Sequence, residues 1–440
     1  MPPVRPPSGW WWTPLSTVAR LESGHTPSRK HPEYWGGDIP WVGIRDATAN
    51  HGQTIHDTQQ RTNPLGIANS SARVLPTNTV CLSRTASVGY VVVMGRPMAT
   101  SQDFINWVCT DAIDYRFLKY VFLVEHDSML RFASGTTHQT IYFPEAKAFH
   151  ICLPSIKTQR SIVEVLQSLD DRITLLRETN TTLEAIAQAL FKSWFVDFDP
   201  VHAKQQGRAP EGMDEATAAL FPDSFEESEL GLVPQGWRVA PVGDVVESVG
   251  GGTPDTKEHA YWEPGEHCWT TPKDLSGIHA PVLLATERKL SAQGLAKVSS
   301  GLLPAGTLLM SSRAPIGYLA IAQAPLAINQ GYIAMLPSSQ LPPLYMLFWC
   351  QHNMEVIKGR ANGSTFMEIS KKAFRPIPAL VPPEPVLDAY IGVAGALFGR
   401  LVENERQAQT LATLRDTLLP RLISGQLRLP EAEAPIEEIA

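Results

Sequence analysis

Hydrophobic residues follow a helical period in two long stretches of the chain. From about Thr158 to Val196 they recur at spacings of three and four without Pro or Gly, which is the heptad pattern of a coiled-coil seam. A second, less regular stretch runs from about Val386 to Leu419, and Asn404 and Arg415 also fall on its seam. The seam positions are Leu166, Leu169, Ile173, Leu176, Asn180, Leu183, Ala187, Leu190 and Trp194 in the first stretch, and Ala394, Leu397, Leu401, Ala408, Leu411, Leu418 and Leu422 in the second.

Two such helices in one chain would most simply pair with each other. A buried amide at Asn180 would then fix the register of the pair at some cost in stability. The alternative, in which each helix packs only on its neighbouring domain, stays open. About 140 residues precede each stretch, and their short β-rich runs, punctuated by Gly, Pro, Asn and Asp, predict an α+β globule with many loops.

The two halves of the chain align with each other at an offset of about 227 residues. Gly24-His25-Thr26-Pro27 aligns with Gly251-Gly252-Thr253-Pro254, and Leu82-Ser83-Arg84 aligns with Met310-Ser311-Ser312-Arg313. A repeat of this length is a pair of whole domains. We therefore expect an internally duplicated, pseudo-twofold α+β chain with these segments: a first globule at 1–150, a helix at 151–198, an acidic linker at 199–235, a second globule at 236–380, a second helix at 381–427 and an acidic tail at 428–440.

Charge and cysteine content set the class of protein. The 440 residues include 37 basic and 44 acidic side chains, but the excess of acid lies in the helical and linker segments. Basic residues slightly outnumber acidic ones in each globule, so a polyanionic partner is compatible with the sequence. The five cysteines are far apart, and there is neither an uninterrupted apolar run of about 18 residues nor a secretory signal. The expectation is a soluble, cytoplasmic protein without a membrane span.

Several segments resemble one known family. Residues 188–201 (QALFKSWFVDFDPV) are similar to the central conserved region of the specificity subunits of type I restriction-modification systems. The Leu153-Pro154 pair followed by Gln159-Arg160, the run 414–425 and the linker 231–237 fit the same pattern, so the resemblance covers essentially the whole chain. The second copy departs from it at Val381-Pro382-Pro383-Glu384-Pro385, which leaves the start of the second helix open.

The resemblance implies a function for each part. Each globule would be a target recognition domain that reads one half of a split double-stranded DNA sequence. The two helices would form an antiparallel coiled coil that sets the gap between the half-sites and docks two methyltransferase subunits, with the seam residues as docking candidates. Those subunits would methylate adenine N6 with S-adenosylmethionine, and added restriction subunits would use ATP and Mg²⁺. The chain itself would be non-catalytic and without a cofactor. The alternative is an orphan or decoy coiled-coil scaffold that binds methyltransferase subunits without productive DNA recognition.

The sequence lacks the motifs that methyltransferases, ATPases and metalloenzymes require. An adenine methyltransferase needs an Asn/Asp-Pro-Pro-aromatic loop for the flipped base, and this tetrapeptide does not occur. A phosphate-binding GxxxxGK[ST] motif does not occur either, and Gly250-Gly251-Gly252 lacks the GxGxxG spacing and is interpreted as a turn. The twelve His residues show no paired ligand spacing, so no metal site is predicted.

Polar residues shared by both copies are the DNA-binding candidates. Because the two copies should read different sequences, shared residues suit phosphate contacts or the fold better than base recognition. Unshared cations, such as Arg29, Lys30, Arg61, Lys257 and Arg360, could read bases, whereas Trp35, Trp41, Trp262 and Trp269 are expected to be packing aromatics. Turns, salt bridges and solvated charges stay open as alternatives. The shared candidates are Thr26, Arg45, Arg84, Gln102, Thr136 and Thr137 in the first copy, and Thr253, Lys273, Arg313, Gln330, Ser364 and Thr365 in the second.

Overall fold

The chain divides into two compact units. The computed structural model describes residues 5–85, 87–132, 140–363, 367–429 and 431. Unit 1 comprises residues 1–172 with 410–440, and unit 2 comprises residues 173–409. The boundary passes through both long helices, so each unit holds one globule and one part of each helix.

The first globule contains all ten strands that the structure describes in unit 1. A five-stranded sheet has the order β2-β9-β6-β7-β4, a three-stranded sheet has the order β5-β3-β8, and β1 pairs antiparallel with β10. The strands are β1 Trp10–Pro14, β2 Ala19–Ser23, β3 Trp35–Val42, β4 Thr54–Ile55, β5 Gln60–Thr62, β6 Val80–Ser83, β7 Val91–Met94, β8 Ala99–Thr100, β9 Phe104–Cys109 and β10 His150–Pro154. The helices are α1 Leu15–Val18, α2 Ile44–Ala49, α3 Pro64–Ala68, α4 Tyr115–Val124, α5 His126–Phe132 and α6 Phe143–Lys147.

Continuous apolar runs explain the central strands of this globule. Strands β6 and β7 are buried at every position, so both faces of the sheet are covered. One apolar cluster takes Val42 from β3 together with Val92 and Phe104 from β7 and β9, and it joins the two larger sheets. Helix α4 begins at an N-cap, where the carboxylate of Asp114 accepts the backbone N–H of Arg116.

The segment that follows the first globule is mostly helical. Helix α7 runs from Ile156 to Phe195, close to the predicted start and end. Residues 199–235, for which the sequence predicts a linker, fold into α8 Asp199–Gln205, α9 Glu215–Ala219 and an antiparallel hairpin of β11 Phe225–Ser228 and β12 Gly231–Pro234. Val201, Phe221 and Val233 are buried in the core of unit 2, so this segment is a packed part of that unit.

The second globule repeats the first strand by strand. Its sheets have the orders β14-β21-β18-β19-β16, β17-β15-β20 and β13-β22, which match those of the first globule position for position. The strands are β13 Arg238–Pro241, β14 Ser248–Val249, β15 His267–Thr270, β16 Val282–Leu283, β17 Arg288–Leu290, β18 Leu308–Ser311, β19 Leu319–Ala322, β20 Leu326–Ile328, β21 Tyr332–Met335 and β22 Pro378–Val381. The helices are α10 Val242–Val245, α11 Pro272–Leu275, α12 Ala292–Leu295, α13 Pro343–His352, α14 Met354–Gly359 and α15 Lys371–Phe374.

The second long helix, α16, spans Glu384–Ile423. It starts directly after Pro382-Pro383 and continues through Pro420, past the apolar stretch that runs to about Leu419 and within the predicted helical segment 381–427. Pro420 donates no backbone hydrogen bond and its ring crowds the carbonyl of Asp416, but it lies in the last turn, and the Ser424 N–H still donates to the Pro420 carbonyl at 3.1 Å. An 18-residue window of α16 has a mean hydropathy of 1.4 and would suit a membrane span by length and composition, with one third of the window buried. Because Val386, Tyr390 and Ala394 pack into the core of unit 2, this apolarity has a packing role in the fold.

The two long helices run antiparallel. In unit 1, Arg415 Nη1 of α16 lies 2.9 Å from Asp170 Oδ1 of α7, and in unit 2 Asn404 Nδ2 of α16 lies 2.9 Å from Asn180 Oδ1 of α7. Residue numbers therefore fall along α16 as they rise along α7. The predicted α+β, internally duplicated fold with an antiparallel coiled coil is confirmed.

Each globule packs against both helices. In unit 1, Gly425 just after α16 lies against Trp10 of β1, and Tyr120 Oη donates to Asp170 Oδ2 of α7 at 2.6 Å. In unit 2, Phe191 of α7 packs against Tyr345 of α13 and Tyr390 of α16. The alternative in which each long helix packs only on its neighbouring globule is therefore wrong.

Candidate nucleic-acid interface

A threonine and a glutamine that are distant in sequence meet in both globules. Thr26 Oγ1 donates to Gln102 Oε1 in the first, and Thr253 Oγ1 donates to Gln330 Oε1 at 2.6 Å in the second. The chain comes this close because Gly24 and Gly251 lack a side chain: a Cβ would lie 1.8 Å from a backbone carbonyl oxygen at either position. Four of the predicted residues thus form two equivalent polar pairs at the surface.

A pair of tryptophans lies beside each Thr–Gln pair. The rings of Trp35 and Trp41 meet edge to face with centroids 5.1 Å apart, and those of Trp262 and Trp269 do so at 5.2 Å. Trp41 Nε1 donates to the carbonyl of His25, and Trp269 Nε1 donates to that of Gly252. Trp41 and Trp269 are buried, so these aromatics fix the loop that carries the threonine.

One guanidinium covers each tryptophan pair, but it comes from a different part of the chain in the two globules. Arg29 lies on the loop after β2, with its Cζ 4.7 Å from the Trp35 ring and 5.4 Å from the Trp41 ring. Arg288 lies on β17, with its Cζ 3.5 Å from the Trp262 ring and 5.3 Å from the Trp269 ring. Both arginines are exposed to solvent.

Strand register identifies the counterpart of Arg288. Arg288 pairs with Trp269 across β17 and β15, and Gln60 pairs with Trp41 across β5 and β3. Gln60 accepts a 2.9 Å hydrogen bond from Arg29 Nη2. Arg288 was not among the predicted residues, because its equivalent in the first copy is Gln60 and a search for polar residues shared by both copies does not find it.

Aspartates cap the short helices that carry Arg45 and Lys273. Asp46 accepts the backbone N–H groups of Gly43 and Gln59 at 2.8 Å. In the second globule, Asp274 in the same way accepts those of Thr271 at 2.7 Å and Glu287 at 3.0 Å. These carboxylates close the N-terminus of α2 and of α11 and leave the neighbouring cation at the surface.

The surroundings of that cation differ between the globules. Lys273 forms a 3.0 Å ion pair with Glu287, whereas the residue equivalent to Glu287 in the first globule is the neutral Gln59, which lines the same cleft as Arg45. Arg45 and Arg29 both line a cleft of about 390 Å³ in the first globule. The other lining residues are Trp41, Gly43, Ile44, Asp46, Gln59, Gln60 and Asp103.

The remaining polar candidates have protein partners or lie outside the described residues. Arg84 Nε donates to the Gln102 carbonyl at 2.9 Å, which supports the loop of the Thr–Gln pair. Arg313 lies 3.8 Å from a carboxylate oxygen of Glu368. Arg61, one of the unshared cations, is paired with Asp57. The candidates on the Gly-Thr-Thr and Gly-Ser-Thr loops, Thr136, Thr137, Ser364 and Thr365, fall outside the residues that the structure describes.

A histidine pair lies at the edge of the first globule. His51 Nδ1 accepts the Val91 backbone N–H at 3.1 Å, and the ring of His126 lies 6.0 Å away. Burial, and then the neighbouring His126, lower the pKa of His51 below its ordinary value. Among the residues described by the structure, no group of three or more His, Cys, Asp or Glu side chains could hold a metal ion.

Most of the predicted seam residues are buried. Leu166, Leu169, Ile173, Leu176, Asn180, Trp194, Leu401, Leu411 and Leu418 are buried, and Leu183, Leu190 and Leu397 are half-buried. In unit 2, Leu175 and Ile186 of α7 and Val393 of α16 expose about half of their surface. These three exposed apolar residues do not belong to the predicted seam.

Comparisons with known proteins agree on one family. A family model described as the type I restriction modification DNA specificity domain matches residues 7–185 and 234–386. The type I restriction enzyme MjaIX specificity subunit of Methanocaldococcus jannaschii is 26% identical over 438 residues, which cover 97% of this chain and 95% of that protein. The HindI specificity subunit of Haemophilus influenzae is 26% identical over 345 residues, which cover 69% of this chain and 74% of that protein.

A solved structure has a similar fold. The crystal structure of the S subunit of a type I restriction-modification system from M. genitalium superposes with a TM-score of 0.57. The alignment covers 94% of this chain and 96% of that chain at 15% sequence identity. At this identity the likeness concerns the fold alone.

Proposed function

The chain belongs to the family of type I restriction-modification DNA specificity proteins, and from this premise we propose that its two globules each read one half of a bipartite, asymmetric DNA target. The observation that carries the proposal is the repeated surface of the globules. Both place a Thr–Gln pair and a guanidinium on a tryptophan pair at equivalent positions of the same strand order.

Differences between the two surfaces support an asymmetric target. The first globule has Gln59 beside Arg45, whereas the second has Glu287 paired with Lys273. Side chains of different charge and hydrogen-bonding type bind different patterns of donors and acceptors at the edges of DNA bases. The two globules would therefore select different bases. Contacts that both globules share would position the duplex through its phosphates.

The long helices would dock the catalytic partners. Exposed Leu175, Ile186 and Val393 give the helix pair an apolar surface in unit 2 that methyltransferase subunits could cover. In the proposed complex, two methyltransferase subunits supply S-adenosylmethionine chemistry at adenine N6, and restriction subunits supply ATP- and Mg²⁺-dependent cleavage. The chain contributes recognition and no catalytic step, and it acts in the cytoplasm, where the DNA lies.

Single-molecule sequencing of genomic DNA tests the proposal directly. We expect a split motif with N6-methyladenine on opposite strands of its two halves in the host, and its loss when the gene for this chain is deleted. Restoring the gene should restore the same motif. A methylation pattern that deletion leaves unchanged, although the chain co-purifies with a methyltransferase, would favour a decoy scaffold instead.

A further inference from the structure

We propose that the two tryptophan-stacked guanidiniums, Arg29 in the first globule and Arg288 in the second, bind the DNA sugar-phosphate backbone of their respective half-sites. They would hold each globule on the duplex without reading a base. This inference rests on the proposed function and deepens it, because it assigns a role to two residues at the same surface.

The tryptophan rings hold both guanidiniums in place and leave most of their N–H groups free to donate hydrogen bonds. A ring lies under one face of each group, at 4.7 Å for Arg29 and 3.5 Å for Arg288. Arg29 uses one N–H for Gln60, and among the described residues Arg288 has no side-chain hydrogen bond. A guanidinium stacked in this way keeps its N–H edge for a bidentate contact and loses little conformational entropy when it binds a phosphate.

Charge sets these two arginines apart from neighbouring cations. Lys273, Arg313 and Arg61 each lie within ion-pair distance of a carboxylate. Within the described part of the chain, no carboxylate pairs with Arg29 or Arg288. Asp46 and Asp103 line the same cleft as Arg29 but form no ion pair with it, so both guanidiniums remain available to a polyanion.

The different origins of the two arginines point to phosphate rather than base. The position aligned with Arg288 is Gln60, and the position aligned with Arg29 is Thr256, so the two globules deliver the cation from different places in the sequence. What they share is the location of the charge on the tryptophan pair. Two half-sites of different sequence have only their sugar-phosphate backbone in common. A positive charge that both globules place at the same location is therefore expected to contact the backbone and not a base.

The test measures DNA binding by the full chain in its methyltransferase complex at several salt concentrations. The probes are a duplex that carries the methylated motif and a duplex of equal length without it. The slope of log K against log salt is negative, and each lost phosphate contact makes it less steep by about 0.9. Extrapolated from 1 M salt, where these contacts contribute little, this corresponds to roughly eightfold weaker binding at 0.1 M salt. We expect this change for Arg29→Thr and for Arg288→Gln, on both duplexes, and about twice the slope change in the double variant.

A transplant separates a backbone contact from base reading. Arg29→Thr combined with Gln60→Arg gives the first globule the arrangement of the second, and it should restore the salt slope and leave the methylated motif unchanged. Arg20→Gln is the matched control, since it removes an exposed cation of the first globule that is already paired with Glu22, and it should leave the slope unchanged. Arg29→Lys keeps the charge and should also keep the slope, which separates the role from simple packing.

Three results would overturn the inference. An unchanged salt slope in correctly folded Arg29→Thr and Arg288→Gln complexes would show that the arginines do not contact the backbone. A motif that becomes degenerate at one base, or changes that base in the transplant, would show base reading instead. If the wild-type complex methylates no split motif, the proposed function fails and this inference fails with it, whereas a wild-type motif with insensitive variants removes the inference alone.

Discussion

Stability of the helix pair should depend on the coupling between Asn180 and Asn404. Both side chains are 1% exposed. Asn404 Nδ2 donates to Asn180 Oδ1 at 2.9 Å, and Asn180 Nδ2 in turn lies 3.0 Å from Glu405 Oε1 and 3.3 Å from the Leu401 carbonyl. Asn404 Oδ1 is buried without a partner. The wild-type pair therefore combines one direct amide bond with one unsatisfied acceptor.

Replacement of either amide by leucine should cost more than replacement of both. In Asn404→Leu the Oδ1 of Asn180 loses its donor, and in Asn180→Leu the amide of Asn404 loses its remaining partner. Each orphaned polar group costs about 1–3 kcal/mol in a buried site, whereas leucine at both positions removes both amides and leaves only the half-buried Glu405 without its Asn180 donor. We expect the double variant to be more stable than the sum of the single effects by about 1–3 kcal/mol, and at least as stable as the wild type.

Urea denaturation of the full chain, followed by circular dichroism at 222 nm, measures this cycle. Thr181→Leu on the exposed face of the same helix is the matched control, and its effect should add to that of Asn404→Leu within about 0.5 kcal/mol. If the effects of the two asparagine substitutions are also additive within that range, the amides are not coupled and the reasoning is refuted.

Further expectations concern pH, backbone strain and spacing. The pKa of His51 in the folded state lies below its ordinary value of 6.5. The contribution of His51 to stability is therefore full above pH 6.5 and is lost as the pH falls through the lowered pKa. His51→Gln should flatten the fall in melting temperature between about pH 7 and pH 5. Gly425 has φ +70° and no room for a Cβ, which would lie 2.8 Å from the Trp10 ring, so Gly425→Ala should destabilise the chain by more than the roughly 1–2 kcal/mol of backbone strain alone. Gly207→Ala, at φ +68° with open space, measures that strain alone in the same urea assay, and an equal loss in both variants would contradict the contact with Trp10. Insertion of seven residues into both α7 and α16 at the boundaries of the units adds about 10 Å of helix, so the methylated motif should gain about three base pairs between unchanged half-sites, and an altered half-site would contradict the proposed division of labour.

Secondary structure and duplication could be predicted because both leave a local or periodic trace in the sequence. The 3-4 spacing of apolar residues marks the face of a helix that is removed from water, and Leu166, Leu176, Leu401 and Leu411 are indeed buried. Helix α16 continues past Leu419, where the apolar stretch ends in the sequence, because its last turn tolerates Pro420.

The linker shows where composition misleads. Its acidic residues lie on the surface of short helices and a hairpin, while a few apolar residues, such as Phe221, anchor the segment in the core of unit 2. Charge counts average over both kinds of position, so they do not reveal whether a segment can bury enough apolar surface to fold.

The sequence by itself determined the two globules, the two seam helices and the resemblance to the family. Only the tertiary structure decided which polar residues lie close together. Gln60 and Arg288 are equivalent because of strand register, Lys273 and Arg313 are paired because loops bring Glu287 and Glu368 to them, and the end of α16 returns to Trp10. A heptad is a property of neighbouring residues on one helix, whereas a contact between a cation and a distant carboxylate or ring depends on the path of the whole chain, which no local pattern records.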